Sequence, residues 1–132
     1  MKASEIIKNK LEENQGRASI RLLNGGLTVL ALQSDGRTFV CDKLPAQHMG
    51  LIVFDIIEDF LKQHGGKAPK GCARGYRVGE GLCGEDTVIY AVATKYYGKN
   101  KGEGSFDPVF VLAAIMEWAG IAKNGRGYLE LK

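Results

Sequence analysis

The chain has 132 residues, 45% of them hydrophobic and 25% charged, with a net charge of +3. That size and balance suit one folded domain spanning 1–132, and they exclude a disordered segment and a strongly cationic tail. Three cysteines, an odd number with no C-x-x-C pair, argue for reduced thiols rather than a disulfide framework.

The first residues, Met1-Lys2-Ala3-Ser4-Glu5-Ile6-Ile7-Lys8, are charged and lack the apolar stretch of a signal peptide, and no run reaches membrane-spanning length. The expectation is a cytoplasmic protein with no membrane partner. Residues 3–14 read as a short helix with Ser4 as its cap and Ile6, Ile7 and Leu11 as its apolar stripe.

Three strands follow. Arg17–Leu22 alternates polar and apolar residues, Leu27–Leu32 is apolar on both sides, and Arg37–Cys41 comes after the turn Ser34-Asp35-Gly36. Asn24-Gly25 is a two-residue hairpin signal because both residues tolerate φ > 0. The pattern predicts a three-stranded antiparallel meander.

A second helix is expected to open at Pro45 and run to about Gln63, with Met49, Val53, Ile56, Ile57, Phe60 and Leu61 at helical spacing. Residues 65–84 show no period and carry seven glycines, Gly65, Gly66, Gly71, Gly75, Gly79, Gly81 and Gly84. A connection that long in a compact domain is often functional. A short helix around Cys72–Arg77 is one expectation within it. Asp86 is expected to cap a third helix, Thr87–Tyr97, with one of Tyr96 and Tyr97 facing outward.

The stretch 107–120 organises the rest. Asp107 can cap a helix, Pro108 loses nothing at a first turn, and Gly120 supplies the stop. Between these ends Glu117 alone is charged. Apolar side chains all round a helix mean burial, and Trp118, Phe110, Phe106 and Tyr128 are expected to pack around it. The tail reads as a hairpin turning at Asn124-Gly125. Strands and helices kept apart in this way predict an α+β fold: a meander, a helical half around a buried apolar helix, and a C-terminal hairpin.

Four groups of residues could carry chemistry. Lys67, Lys70, Arg74 and Arg77 occur with no acidic residue among them, Tyr76 lies between the arginines, and the surrounding glycines leave backbone N–H groups accessible. Cations, free amides and an aromatic ring suit phosphate and nucleic-acid contact. Gly66 and Gly71 have the outer spacing of a phosphate-binding P-loop, but Cys72 and Ala73 stand where its Lys and Ser/Thr should be. Cys72 within the cationic loop could act as a nucleophile, with His48 or His64 as base and Cys83 as a resolving partner. Asp55, Glu58 and Asp59 with His64 fit the wet face of a helix better than a metal site. No metal and no cofactor are expected.

The run Met116–Ile121 followed by Gly125–Leu131 resembles the end of a winged helix-turn-helix domain, in which a last helix enters a short hairpin with a basic tip. The resemblance implies a core of helices near 46–64, 86–97 and 107–120. It also implies nucleic-acid contact through Lys123, Asn124 and Arg126. The last helix departs from that family in offering almost no polar residues to a groove. The preferred expectation is thus non-enzymatic DNA binding through the glycine-rich basic loop and the hairpin tip. A homo-oligomeric interaction domain, joined through helix 107–120 or the meander edge, is the alternative, and a cysteine-dependent enzyme is the third.

Overall fold

The computed structural model describes residues 1–44 and 48–132. It is an α+β fold with two antiparallel sheets. Helix α1 (Ala3–Glu13) leads into strands β1 (Arg17–Arg21), β2 (Leu27–Leu32) and β3 (Thr38–Cys41), and a two-residue strand β4 (Met49–Gly50) extends the meander to the order β1-β2-β3-β4. Helix α2 (Ile52–Gln63) and strand β5 (Lys67–Pro69) follow. Helix α3 (Val88–Ala91) continues as a π-helical turn over Val92–Tyr96. Helix α4 (Val109–Trp118) then enters the hairpin of β6 (Ala122–Asn124) and β7 (Tyr128–Leu131). The second sheet has the order β5-β7-β6. One continuous apolar core joins both halves, with Phe39, Phe54, Ile57, Leu61, Leu112 and Ile115 at its heart.

The meander forms, with Ser19 opposite Val29 and Ala31 opposite Val40, but its first turn is not the expected two-residue Asn24-Gly25 hairpin: the Leu22 N–H donates to the Gly26 carbonyl (2.7 Å) and closes a three-residue loop over 23–25, with Gly25 at φ +92°. Ile20, Leu30 and Phe39 turn inward, while Leu27 and Val29 stay on the solvent side. The second helix begins later than the sequence suggests. Met49 shares helical spacing with Val53 but is a strand residue, paired with Phe39, and Gly50 pairs with Thr38. The Leu51 N–H donates to the Arg37 carbonyl (2.8 Å), and the Gly50 N–H to the Tyr96 hydroxyl (2.7 Å). The pairing and these bonds commit residues 49–51 to the end of the sheet rather than to the helix. The expected start at Pro45 lies outside the described residues.

Thr87, not Asp86, caps α3. Its hydroxyl oxygen accepts the Tyr90 N–H (3.2 Å) and donates to the Gly84 carbonyl (2.7 Å). Neither Tyr96 nor Tyr97 stands free. Tyr96 is held by Gly50, and Tyr97 packs edge-on against Tyr96 and beside Phe106. Burial pushes the Tyr97 hydroxyl up to about 12.

Helix α1 is held at both ends by other helices. Its first free N–H groups are met by α2 carboxylates: Ser4 donates from its N–H to Asp55 Oδ1 and from its hydroxyl to Asp55 Oδ2 (2.8 Å each), and the Ala3 N–H donates to Glu58 (3.1 Å). Ser4 is therefore anchored inside the first turn instead of capping it, and Asp55 is buried rather than on a wet face. Near the other end, Lys10 donates to the Trp118 carbonyl, with its Nζ 4.6 Å from the Trp118 ring centroid. A cation there also meets the negative end of the α4 dipole.

Helix α4 is buried along Val111–Met116, as its composition predicts. It packs against α1, β1 and β6, so both the N-terminal half of the chain and the hairpin cover it. No helix among the described residues is long and apolar enough to cross a membrane.

Candidate nucleic-acid interface

Residues 70–84 are not a loose loop. The Cys72 N–H donates to Leu82, Gly79 to Cys83, and Val78 to Glu103 (2.9 Å each), while Gly102 donates back to Val78 (2.9 Å). Ala73, Val78 and Cys83 point into the core. Gly71 is pinned in the left-handed region at φ +72°, where an added Cβ would lie 2.5 Å from the Leu82 carbonyl oxygen. The expectation of accessible amides is thus corrected: several are spent inside the loop, and an anion there would meet side chains. Cys72–Arg77 is not helical; the one helical turn in this stretch is a 3-10 turn at Gly81–Cys83.

The strand β5 supplies the first cation. Lys67 lies opposite Glu130, which in turn lies opposite Lys123. Both lysines lean on Tyr128, their Nζ atoms 4.4 and 5.8 Å from its ring centroid. A hydrogen bond with Tyr128 and its nearby charge raise the Lys123 pKa. The ring also rests on Gly125, whose missing side chain makes room: a Cβ would sit 2.1 Å from the ring.

From β5 the chain passes the hairpin tip. The Lys70 N–H donates to the Gly127 carbonyl (2.9 Å), so the start of the basic loop and the tip are direct neighbours. Lys70 is half-buried, and desolvation lowers its pKa against the opposing pull of Glu117. Arg74 is exposed. Arg77 is exposed too and donates to the Gly102 carbonyl (3.0 Å). Tyr76 lays its ring over Gly81 with the rest of it open to water. Two ion pairs form among the described residues, Lys62–Glu58 and Lys101–Glu85. Neither involves Lys67, Lys70, Arg74, Arg77, Lys123 or Arg126.

The hairpin turns two residues later than its Asn-Gly pair suggests. The Gly125 N–H donates to the Tyr128 carbonyl (3.1 Å), leaving Arg126 and Gly127 at the tip. Asn124 therefore drops out of the proposed interface. It is 5% exposed, and its N–H is taken by Glu117 (2.9 Å). Its side-chain oxygen is buried with no partner among the described residues.

The other candidates have the following partners. Asp55 and Glu58 are occupied by α1, and no three His, Cys, Asp or Glu side chains gather as a metal set among the described residues. Cys72 Sγ points to the Arg74 carbonyl (3.5 Å), while His64 pairs its Nδ1 with the Phe60 carbonyl (2.8 Å) and stacks on Phe60. Cys83 is buried, and desolvation raises its thiol pKa, the opposite of activation. Cys41 lies 2.7 Å from the Thr28 hydroxyl inside the meander.

Two aromatic residues sit elsewhere than the sequence pattern suggests. Phe106 and Phe110, expected in the core around α4, are 55% and 41% exposed at its N-terminal end. In a helix that is apolar throughout, no periodicity marks which aromatic faces out.

Compared with known proteins, the chain matches no family model, no curated protein and no solved structure.

Proposed function

We propose that this protein is a non-enzymatic nucleic-acid-binding domain, with DNA as the first candidate. Lys67, Lys70, Arg74, Arg77, Lys123 and Arg126 would supply the phosphate contacts. The observation that carries the reading is the Lys70–Gly127 hydrogen bond, which makes the start of the loop and the hairpin tip neighbours. Their cations form no ion pair among the described residues, and a half-buried lysine kept in that state suits a site awaiting an anion. The resemblance to a winged helix-turn-helix is supported by three helices, α2, α3 and α4, that lead into the β6–β7 hairpin. Because α1 and β1 cover α4, no recognition helix would enter a groove. Binding would then rest on the phosphate backbone, with little base readout.

Fluorescence anisotropy with a generic duplex tests this. Affinity should fall steeply between low and moderate salt. An Arg74→Ala, Arg77→Ala variant should lower the salt slope by about 2, one for each phosphate no longer neutralised. Absence of binding at low salt both to this duplex and to a generic single strand would remove the reading.

The oligomer alternative keeps one support. Strand β1 ends its sheet with an open edge, and Leu27 and Val29 are exposed beside it. Yet antiparallel self-pairing about Ser19 would set Arg17 against Arg21, and like charges opposite one another destabilise a pair. Helix α4 is buried along Val111–Met116, so of its apolar side chains Phe110 is the one left well exposed for such an interface. Size-exclusion chromatography with light scattering separates the two readings: a dimer unchanged by the Arg74→Ala, Arg77→Ala variant favours the second.

A further inference from the structure

We infer that the cleft at the N-terminal end of α4 takes an unpaired nucleobase, so that the ligand of this protein is a single strand rather than a closed duplex. The inference rests on the nucleic-acid reading above and adds a site to it. The cleft holds about 870 Å³, within the roughly 300–1,000 Å³ of small-ligand sites. It lies between the end of the meander and the basic loop, and its lining includes Asp42, Lys43, Arg74 and Phe110.

These four residues make a complementary set. Phe110 is the exposed aromatic ring of a helix otherwise turned inward, and Phe106 lies one turn before it, also exposed. A base has an apolar face that stacks on such a ring whatever its sequence. Arg74 and Lys43 are exposed cations at the same cleft, placed for the flanking phosphates. Arg74 also belongs to the cationic loop, so the cleft continues the phosphate track.

Asp42 supplies a preference. Its Oδ1 accepts the Thr28 hydroxyl and the Val29 N–H (3.0 Å), which fixes the carboxylate, and its Oδ2 has no partner among the described residues. The same hydrogen bonds hold its pKa below the usual carboxylate value, so it is an acceptor at neutral pH. A carboxylate accepts a hydrogen bond from the amino group of cytosine and repels the carbonyl oxygen that thymine or uracil carries at that position. The site therefore favours cytosine over thymine, two bases of nearly equal stacking surface.

The test is anisotropy at low salt with short fluorescein-labelled oligo(dC), oligo(dT) and a mixed-sequence duplex, using the full chain. Oligo(dC) should bind more tightly than both oligo(dT) and the duplex. Phe110→Ala should weaken oligo(dC) binding about tenfold and leave duplex binding unchanged. Phe110→Leu keeps an apolar side chain in the first turn of α4, removes the aromatic face, and should behave as Phe110→Ala while melting like the parent. Asp42→Asn should erase the preference for oligo(dC). Oligo(rC) against oligo(dC) tells an RNA source from a DNA source, and tight binding of either supports the site. Oligo(dC) binding no tighter than duplex binding and unchanged by Phe110→Leu would overturn the inference, and salt-sensitive duplex binding would then leave the phosphate reading standing. No binding to any of the oligonucleotides would remove both.

Discussion

One carboxylate oxygen of Asp107 accepts the Ala73 N–H at 3.0 Å while the other accepts the Val109 N–H at 3.2 Å. A single side chain, one residue before the N-cap Pro108, thus takes the first N–H of α4 and fastens the basic loop to it. Asp107→Ala should cost about 1–2 kcal/mol of stability, the usual range when a cap is removed. It should also speed amide exchange at Ala73 more than in the core. Urea unfolding and hydrogen exchange check the two parts.

Asp55 does comparable work for α1, from a buried position. Removing it strands the Ser4 N–H and hydroxyl in a poorly hydrated place. Asp55→Ala should cost about 2–3 kcal/mol, the range for charge-assisted bonds and orphaned donors. Ser4→Ala should cost less, because the backbone bond to Asp55 survives. Denaturant midpoints of the two variants give the order.

Asp35 sets an acid limit. The Arg37 N–H and the Thr38 hydroxyl and N–H hold its pKa below the ordinary 3.8. The folded state therefore binds its proton more weakly than the unfolded chain does. Its contribution is complete above the unfolded value and is lost as pH falls through the folded one. Asp35→Asn should be less stable than the parent at neutral pH, with the difference narrowing below about pH 4. Urea midpoints across that range show whether the curves converge.

Lys70 carries the opposite sign. Its pKa is lowered by burial, so its charge opposes folding at neutral pH, and the penalty fades as pH rises toward the unfolded value of 10.5. Lys70→Met should melt a few degrees higher at neutral pH and converge with the parent near pH 10. It should also bind nucleic acid more weakly, with the salt slope reduced by about 1. Gain of stability with loss of binding is the pattern of a residue kept for its ligand.

The helix 3–13, the three strands of the meander and the buried helix after Asp107 were legible because each has its own period, turn pair or cap. Strand β5 was not: it has three residues, one of them proline, and only Ala68 faces inward. Pro69 is tolerated because β5 is an edge, paired only with β7. Met49 misled by its spacing, since pairing with Phe39 outweighs one more turn of helix. At the candidate site, the clustering of cations was readable, but their relation to the hairpin tip depends on the pairing of β5 with β7. Asn124 misled because Asn-Gly marks a turn, whereas Gly127 at φ +83° and the packing of Tyr128 on Gly125 move the turn onward. Exposure of Phe106 and Phe110 is set by tertiary packing, which no local pattern records.

The grip of α1 on α2 and α4 also decides where the chain can be cut. Starting it at residue 48 would keep every cation of the proposed interface except Lys43, together with the whole hairpin sheet. It would also bare the part of α4 that α1 and β1 pack against. Such a fragment would show water an apolar helix flank with no partner, and self-association or precipitation would follow. The N-terminal helix and meander thus work as a solubilising jacket for the C-terminal half, and expression trials that trim the chain from its start should lose soluble protein before they lose any phosphate-binding residue.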